Sequence, residues 1–293
     1  MSEQRIFHLY RYQINPNQRI QEKLPLEEGQ HTVDEVIARK NEYFMEAFNY
    51  LAHQATLGEI DGTQDKYRLK KIYPKDEFNK QNSFFIFWLA KPKSIKIDTE
   101  DFTTQRDVTW PRSYVLIWNV PEKQLIAVEH RTQVAASTTT LINELEKRLN
   151  EILRQHNLNT HINPIFNQES FWSLVEDKKV EKIEFHLVTP NMANISHSLS
   201  EDLKKLAKRT NASTSNLGLS AESFQELNIS KDNPQLKDMV DYSSKGGGYI
   251  KMKVKGLRRT IDTKNNVTSV ALDDLTIIGN DIEAVQETLD KFL

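Results

Sequence analysis

Hydrophobic positions along this chain switch between a strand period and a helix period. Tyr114 to Val120 and Gln124 to Glu129 are runs rich in β-branched and aromatic residues, separated by Pro121-Glu122-Lys123. Two such runs around a short polar turn predict a β-hairpin. Ser137-Thr138-Thr139-Thr140 then offers helix caps, and Leu141, Ile142, Leu145, Leu149, Ile152 and Leu153 follow at helical spacing. The pattern predicts strand, turn, strand and helix, with one apolar helix face covering the hairpin.

The same two periods recur on either side. Ile6 to Tyr12 alternates as a first strand, and Thr32 precedes a helical pattern from Val33 to about His53. Tyr67 to Tyr73 alternates as a basic strand. Ser83 to Ala90, the most hydrophobic segment, has the length and aromatic content of a strand in the centre of a sheet. Residues 98–113 are polar and read as a loop. Phe166 to Val175 predicts a short helix, and Glu176-Asp177-Lys178-Lys179 is a charged break.

Lys182 to Val188 opens a second series. Ser200 would cap a helix carrying Leu203 and Leu206, residues 211–219 read as an Asn- and Ser-rich loop, and Ser220 to Leu227 as a short helix. Pro234 stands where a first helical turn would begin. Gly246-Gly247-Gly248 excludes helix interior. Strands are expected at Tyr249–Val254 and Val267–Leu272, and a final helix after Asp281. The fold class is α+β, with two mixed sheet-plus-helix domains at 1–178 and 179–293.

Charge changes this picture at one place. The chain of 293 residues carries a net charge of −2, so it is not a basic nucleic-acid binder as a whole. Yet Lys245 to Lys264 holds seven basic residues against the single acid Asp262. Lys251, Lys253 and Lys255 alternate with Met252 and Val254, which places the three lysines on one face of a strand. A phosphate-binding surface made of Lys245, Tyr249, Lys251, Lys253, Lys255, Arg258 and Arg259 follows, with Tyr249 stacking on a base and the glycine run bringing backbone amides near an anion. The competing reading is a solvated face, or an edge strand whose lysines prevent association. The glycine run is not a nucleotide-binding P-loop, because Lys245 precedes it and no Gly-Lys-Ser or Gly-Lys-Thr follows.

Other chemistry is sparse. Without cysteine the chain has no disulfide, thiolate nucleophile or Cys-bound zinc. The eight histidines lack His-Glu-x-x-His spacing, and no Gly-x-Ser-x-Gly elbow is present. No catalytic residue, cofactor or metal ligand is assigned. Glu129-His130-Arg131 has the acid-then-base order of a nuclease strand end, with Asp98, Asp101 and Asp107 as upstream acids, and keeps a metal-dependent nuclease as the alternative. A subunit that meets a partner protein is a third reading. No apolar leader opens the chain, and its longest apolar run is too short to span a bilayer, so a cytoplasmic protein without direct membrane insertion is expected.

In element order, the hairpin Tyr114–Glu129, the Ser/Thr-capped helix from Ser137 and the strand Lys182–Val188 resemble the bacteriophage-exclusion RexA proteins and bacterial proteins of similar layout. The resemblance covers about a quarter of the chain and transfers no functional residue. It implies a two-domain cytoplasmic dimer that binds DNA and acts in phage defence with a membrane or effector partner.

Overall fold

A computed structural model describes residues 4–16, 37–57, 67–74, 82–176, 178–189, 201–210, 212–222, 225–279 and 281–293. The expected helix start at Val33–Val36, the Ser200 cap and part of the helix read over Ser220–Leu227 lie outside these residues.

The first sheet is antiparallel and is organised along one long strand, β1 (Gln4–Pro16). The hairpin of β6 (Arg112–Trp118) and β7 (Leu125–Glu129) lies beside it, followed outward by β3 (Phe84–Ala90) and β2 (Arg68–Tyr73). On its other edge β1 is shared. Its first half pairs with β13 (Ser269–Asp273) and its second half with β8 (Leu158–Pro164). Alternation along β1 then divides the core. Tyr10, Tyr12 and Ile14 face α1 (Lys40–Leu57) and α2 (Thr138–Leu153), whereas Phe7 and Leu9 face α6 (Asp274–Ile278) and α7 (Ile282–Asp290).

The expected hairpin and helix are present. Ser137 caps α2 by accepting the Thr140 amide at 3.4 Å, and Leu141, Ile142, Leu145, Leu149 and Leu153 are buried against the sheet. Residues 98–113 depart from the loop expected there. Lys93–Asp98 (β4) and Thr104–Thr109 (β5) form a separate two-stranded hairpin, with Phe102 fully exposed at its tip.

The second sheet runs β10 (Thr214–Ser220), β9 (Val180–Val188), β11 (Gly248–Val254), β12 (Ile261–Asp262), all antiparallel. Ile183, Phe185, Leu187, Ile250, Met252 and Val254 point inward. They pack on Phe171, Trp172 and Val175 of α3 (Gln168–Glu176) and on Leu236, Met239 and Val240 of α5 (Pro234–Ser244). Further along the chain, α4 (Glu201–Thr210) lies between β9 and β10 in sequence. The Asn- and Ser-rich segment expected as a loop is therefore largely β10, while residues 225–230 form no regular element.

The chain crosses between the sheets twice. It leaves the first after β8, since Phe166 and α3 already pack on the second sheet, and returns when β13 pairs with β1. At the seam Ile165 bridges Lys245, and the Phe166 amide donates to the Ser244 carbonyl at 3.0 Å. No helix among the described residues is long and apolar enough to cross a membrane.

Candidate nucleic-acid interface

Strand alternation places Tyr249, Lys251 and Lys253 on the outer face of the second sheet, because Ile250, Met252 and Val254 are drawn into its core. Register sets their neighbours. Tyr249 lies opposite His186, Lys251 opposite Glu184 on one side and Asp262 on the other, and Lys253 opposite Lys182. The outer face is thus a mixture of charges rather than a cationic stripe. Lys253 Nζ is 3.0 Å from Glu181, Lys182 Nζ is 2.5 Å from Glu184, and Lys251 Nζ is 4.0 Å from Asp262.

Beyond the strand the picture changes. The Leu257 amide donates to the Val254 carbonyl at 3.1 Å, and Gly256 takes a φ of 82° in the turn between them. A left-handed residue at this turn position favours glycine. The turn projects Lys255, Arg258 and Arg259 into solvent, and none of the three has a side-chain hydrogen bond or ion pair among the described residues. The Lys255 amide donates to the Lys179 carbonyl at 2.9 Å, which brings the exposed Lys178 and Lys179 beside the turn. Lys179 pairs with Glu226 at 3.0 Å. Lys245 lies apart from this cluster, at the end of α5, with its Nζ 2.8 Å from Asp241. Of the seven positions singled out from the sequence, Lys255, Arg258 and Arg259 share one exposed turn. Lys251 and Lys253 stand next to it, Tyr249 sits deeper, and Lys245 is at the seam.

Tyr249 is already engaged. His186 stacks on its ring with centroids 4.4 Å apart and planes 7° from parallel, and Lys264 Nζ lies 4.1 Å from the ring centroid. Stacking on a base would displace one of them. Around this ring are groups that were not apparent in the sequence. Glu146 of α2 accepts the Ile162 amide at 3.0 Å and lies 3.9 Å from His161 Nδ1. Burial raises the Glu146 pKa, against the Ile162 amide and the Lys264 charge; burial and then Lys264 lower that of His161. Tyr249 is pushed up by burial and next by the charges of Asp262, Glu146 and Glu184. Only the three-dimensional crossing of α2, β8 and the second sheet assembles these side chains.

The glycine run has a packing role here. The amides of Gly246 and Gly247 are spent on the Ser243 and Tyr242 carbonyls, each at 3.0 Å. A Cβ on Gly246 would collide with Arg11, one on Gly247 with the Tyr242 ring, and one on Gly248 with the His186 carbonyl.

The nuclease alternative centres on Glu129, and both of its carboxylate oxygens are committed. One accepts Arg5 Nη1 at 2.6 Å, the other the Tyr114 amide at 2.9 Å. Asp98 and Asp107 are on the separate β4–β5 hairpin, and Asp101 is in its turn. Among the described residues, no group of three or more His, Asp or Glu side chains is placed to hold a metal ion.

Comparison of the chain with protein-family models, with curated proteins and with solved structures gave no match.

Proposed function

We propose that this protein binds nucleic acid non-enzymatically, largely without regard to sequence, through the turn between β11 and β12. The observation that carries the reading is the exposed group Lys255, Arg258 and Arg259, unpaired among the described residues and flanked by Lys178 and Lys179, in a protein whose net charge is −2. Cations without local counter-charges are free to meet phosphates, and such contacts position a protein on a backbone without reading bases. Duplex DNA is the proposed ligand. The resemblance to RexA proteins adds a role as a cytoplasmic sensor in phage defence, as a dimer with a membrane or effector partner.

A second reading, a protein-interaction subunit, is favoured by the β4–β5 hairpin. Phe102 is 100% exposed at its tip with φ 56°, held by a Thr99–Thr103 hydroxyl contact of 2.8 Å and by the Phe102 amide donating to the Thr99 carbonyl at 3.0 Å. A large aromatic side chain held wholly in solvent on a left-handed backbone supports a contact surface at this tip. Glu100 and Asp101 beside it suit a partner protein with a basic rim around an apolar pocket.

Fluorescence anisotropy with duplex DNA across a salt series tests the first reading. Each phosphate contact contributes about −0.9 to the slope of log affinity against log salt, so replacing Lys255, Arg258 and Arg259 by Gln should reduce its magnitude by roughly 2.7. Unchanged affinity and slope in the folded triple variant would remove this turn from the interface. Magnesium-dependent shortening of the DNA would replace binding with nuclease activity.

A further inference from the structure

We infer that the seam between β1 and the Tyr242–Gly248 segment holds a small inorganic anion against the guanidinium of Arg11. This site is independent of the nucleic-acid interface. Arg11 is 1% exposed. Its Nε and Nη1 atoms are buried and have no hydrogen-bond acceptor among the described residues. Buried guanidinium groups are ordinarily paired with a carboxylate, because burying a charge without a partner is strongly unfavourable. Among the described residues no carboxylate acts on this one. The titratable group that does is the phenol of Tyr242.

Gln13, fully buried, directs its amide nitrogen to the Gly246 carbonyl at 3.4 Å, and the Tyr242 hydroxyl donates to the Val188 carbonyl at 2.6 Å. Burial lowers the Arg11 pKa to about 10, so the side chain is still cationic at neutral pH. A neutral acceptor would satisfy the two N–H donors and leave the charge uncompensated, whereas an anion answers both and forms the stronger, charge-assisted bonds. Gly246 closes directly over the Arg11 Cβ, which keeps the seam narrow. Chloride or phosphate is the class of anion inferred, since the contact leaves no opening for a larger ligand such as a nucleotide. Because Arg11 belongs to the first sheet and Gly246 to the segment that begins the second, the anion would also fasten the sheets together.

Crystals of the full chain soaked in bromide, or in arsenate as a stand-in for phosphate, test this directly. An anomalous peak within hydrogen-bonding reach of Arg11 Nε or Nη1 supports the site. Absence of such a peak in both soaks overturns it. In solution, chloride or phosphate titrated at constant ionic strength against sodium gluconate should raise the folded-to-unfolded ratio of the wild type about 100-fold at a hundred times the dissociation constant. Arg11→Met should abolish that response. An identical anion response in the wild type and in folded Arg11→Met would overturn the assignment. If Arg11→Met does not fold, the anomalous maps decide.

Discussion

Arg11 and Gly246 touch across the seam so closely that the Cβ of Arg11 occupies the space a methyl group on Gly246 would need. Gly246 also has φ 84°. Two costs therefore fall on Gly246→Ala: about 1–2 kcal/mol for the left-handed conformation and about 1–3 kcal/mol more for overpacking. Gly256 isolates the first cost, since it has φ 82° and a methyl group added there would meet nothing within 4 Å among the described residues. Gly256→Ala should lose only the conformational part. Urea unfolding of both variants checks this, and equal losses would mean that the seam yields to the extra methyl.

Leu145 is 3% exposed on the face of α2 that covers the first sheet. Leu145→Ala should cost about 2–5 kcal/mol. Leu206, 58% exposed on α4, provides the contrast, and Leu206→Ala should stay within about 0.5 kcal/mol. A loss below about 0.5 kcal/mol at Leu145, measured by chemical denaturation, would place this helix face in solvent.

The reason one leucine was identifiable from the sequence and other features were not lies in how strongly each segment is patterned. In α2 six apolar positions recur on one face, and in β6 and β7 the apolar run is continuous, so periodicity alone predicts the unit. β10 offers only Leu217 and Leu219 at period two, set among Thr, Ser, Asn and Gly residues that otherwise signal a turn. β8 begins directly after Asn157, whose φ of 54° ends the preceding helix, and its polar Thr160 is buried through bonds to Asn150 and Gln13 instead of through apolar contact. β4 and β5 are exposed on both faces and so carry no buried pattern. At the candidate interface, the lysine alternation was visible because it is local. Glu181 and Asp262 as counter-charges, and Glu146 near Tyr249, depend on register and on helix crossing, which no single segment encodes.

Two histidines give the fold a defined response to acid. His8 has its pKa lowered first by burial and then by His130, stacked on it at 4.8 Å; His161 is lowered by burial and then by Lys264. The unfolded chain binds these protons near 6.5, before the folded protein does. Stability is therefore complete above about 6.5 and falls as pH drops toward the lowered folded values. Glu146 acts in the opposite sense. Burial raises its pKa above 4.5, so the folded state takes up its proton first and gains stability as pH falls through that raised value. Thermal melts from about pH 7.5 down to about 5.5, a window spanning the ordinary histidine value, should show a decline that flattens in His8→Gln and in His161→Gln. An unaltered decline in both variants would assign it to other groups.

Lys178 and Lys179 are exposed, and trypsin should cut there. The two products should nevertheless stay together in native size-exclusion chromatography and separate only in denaturant. β13, carried by the C-terminal product, is paired with β1 of the N-terminal product over five residue positions, and Val270 and Leu272 are buried against Phe7 and Leu9. Independent elution of the pieces under native conditions would show that this pairing does not hold them.

The counter-charges on the outer face of the second sheet lead to a distinction among the basic residues. Glu181 is 3.0 Å from Lys253 and Asp262 is 4.0 Å from Lys251, and each acid also repels an approaching phosphate. Glu181→Gln with Asp262→Asn leaves the shape almost unchanged. Asp262 also supports the following turn by accepting the Lys264 amide at 2.9 Å, and an asparagine oxygen can still do so. If the interface extends from the exposed turn along β11, the double variant should bind duplex DNA more tightly at low salt. The salt slope should steepen by up to about 1.8 as two further lysines become available. The gain should be equal on unrelated sequences, because phosphate contacts carry no base information. In the wild-type background, Lys251→Gln with Lys253→Gln should lose less affinity per residue replaced than removal of Lys255, Arg258 and Arg259, since the first pair is partly neutralised and the second group has no ion pair among the described residues. Anisotropy titrations of all three variants decide the matter. Equal losses per residue from the two sets of basic residues, together with no gain on removing the acids, would show that these counter-charges do not shape the interface.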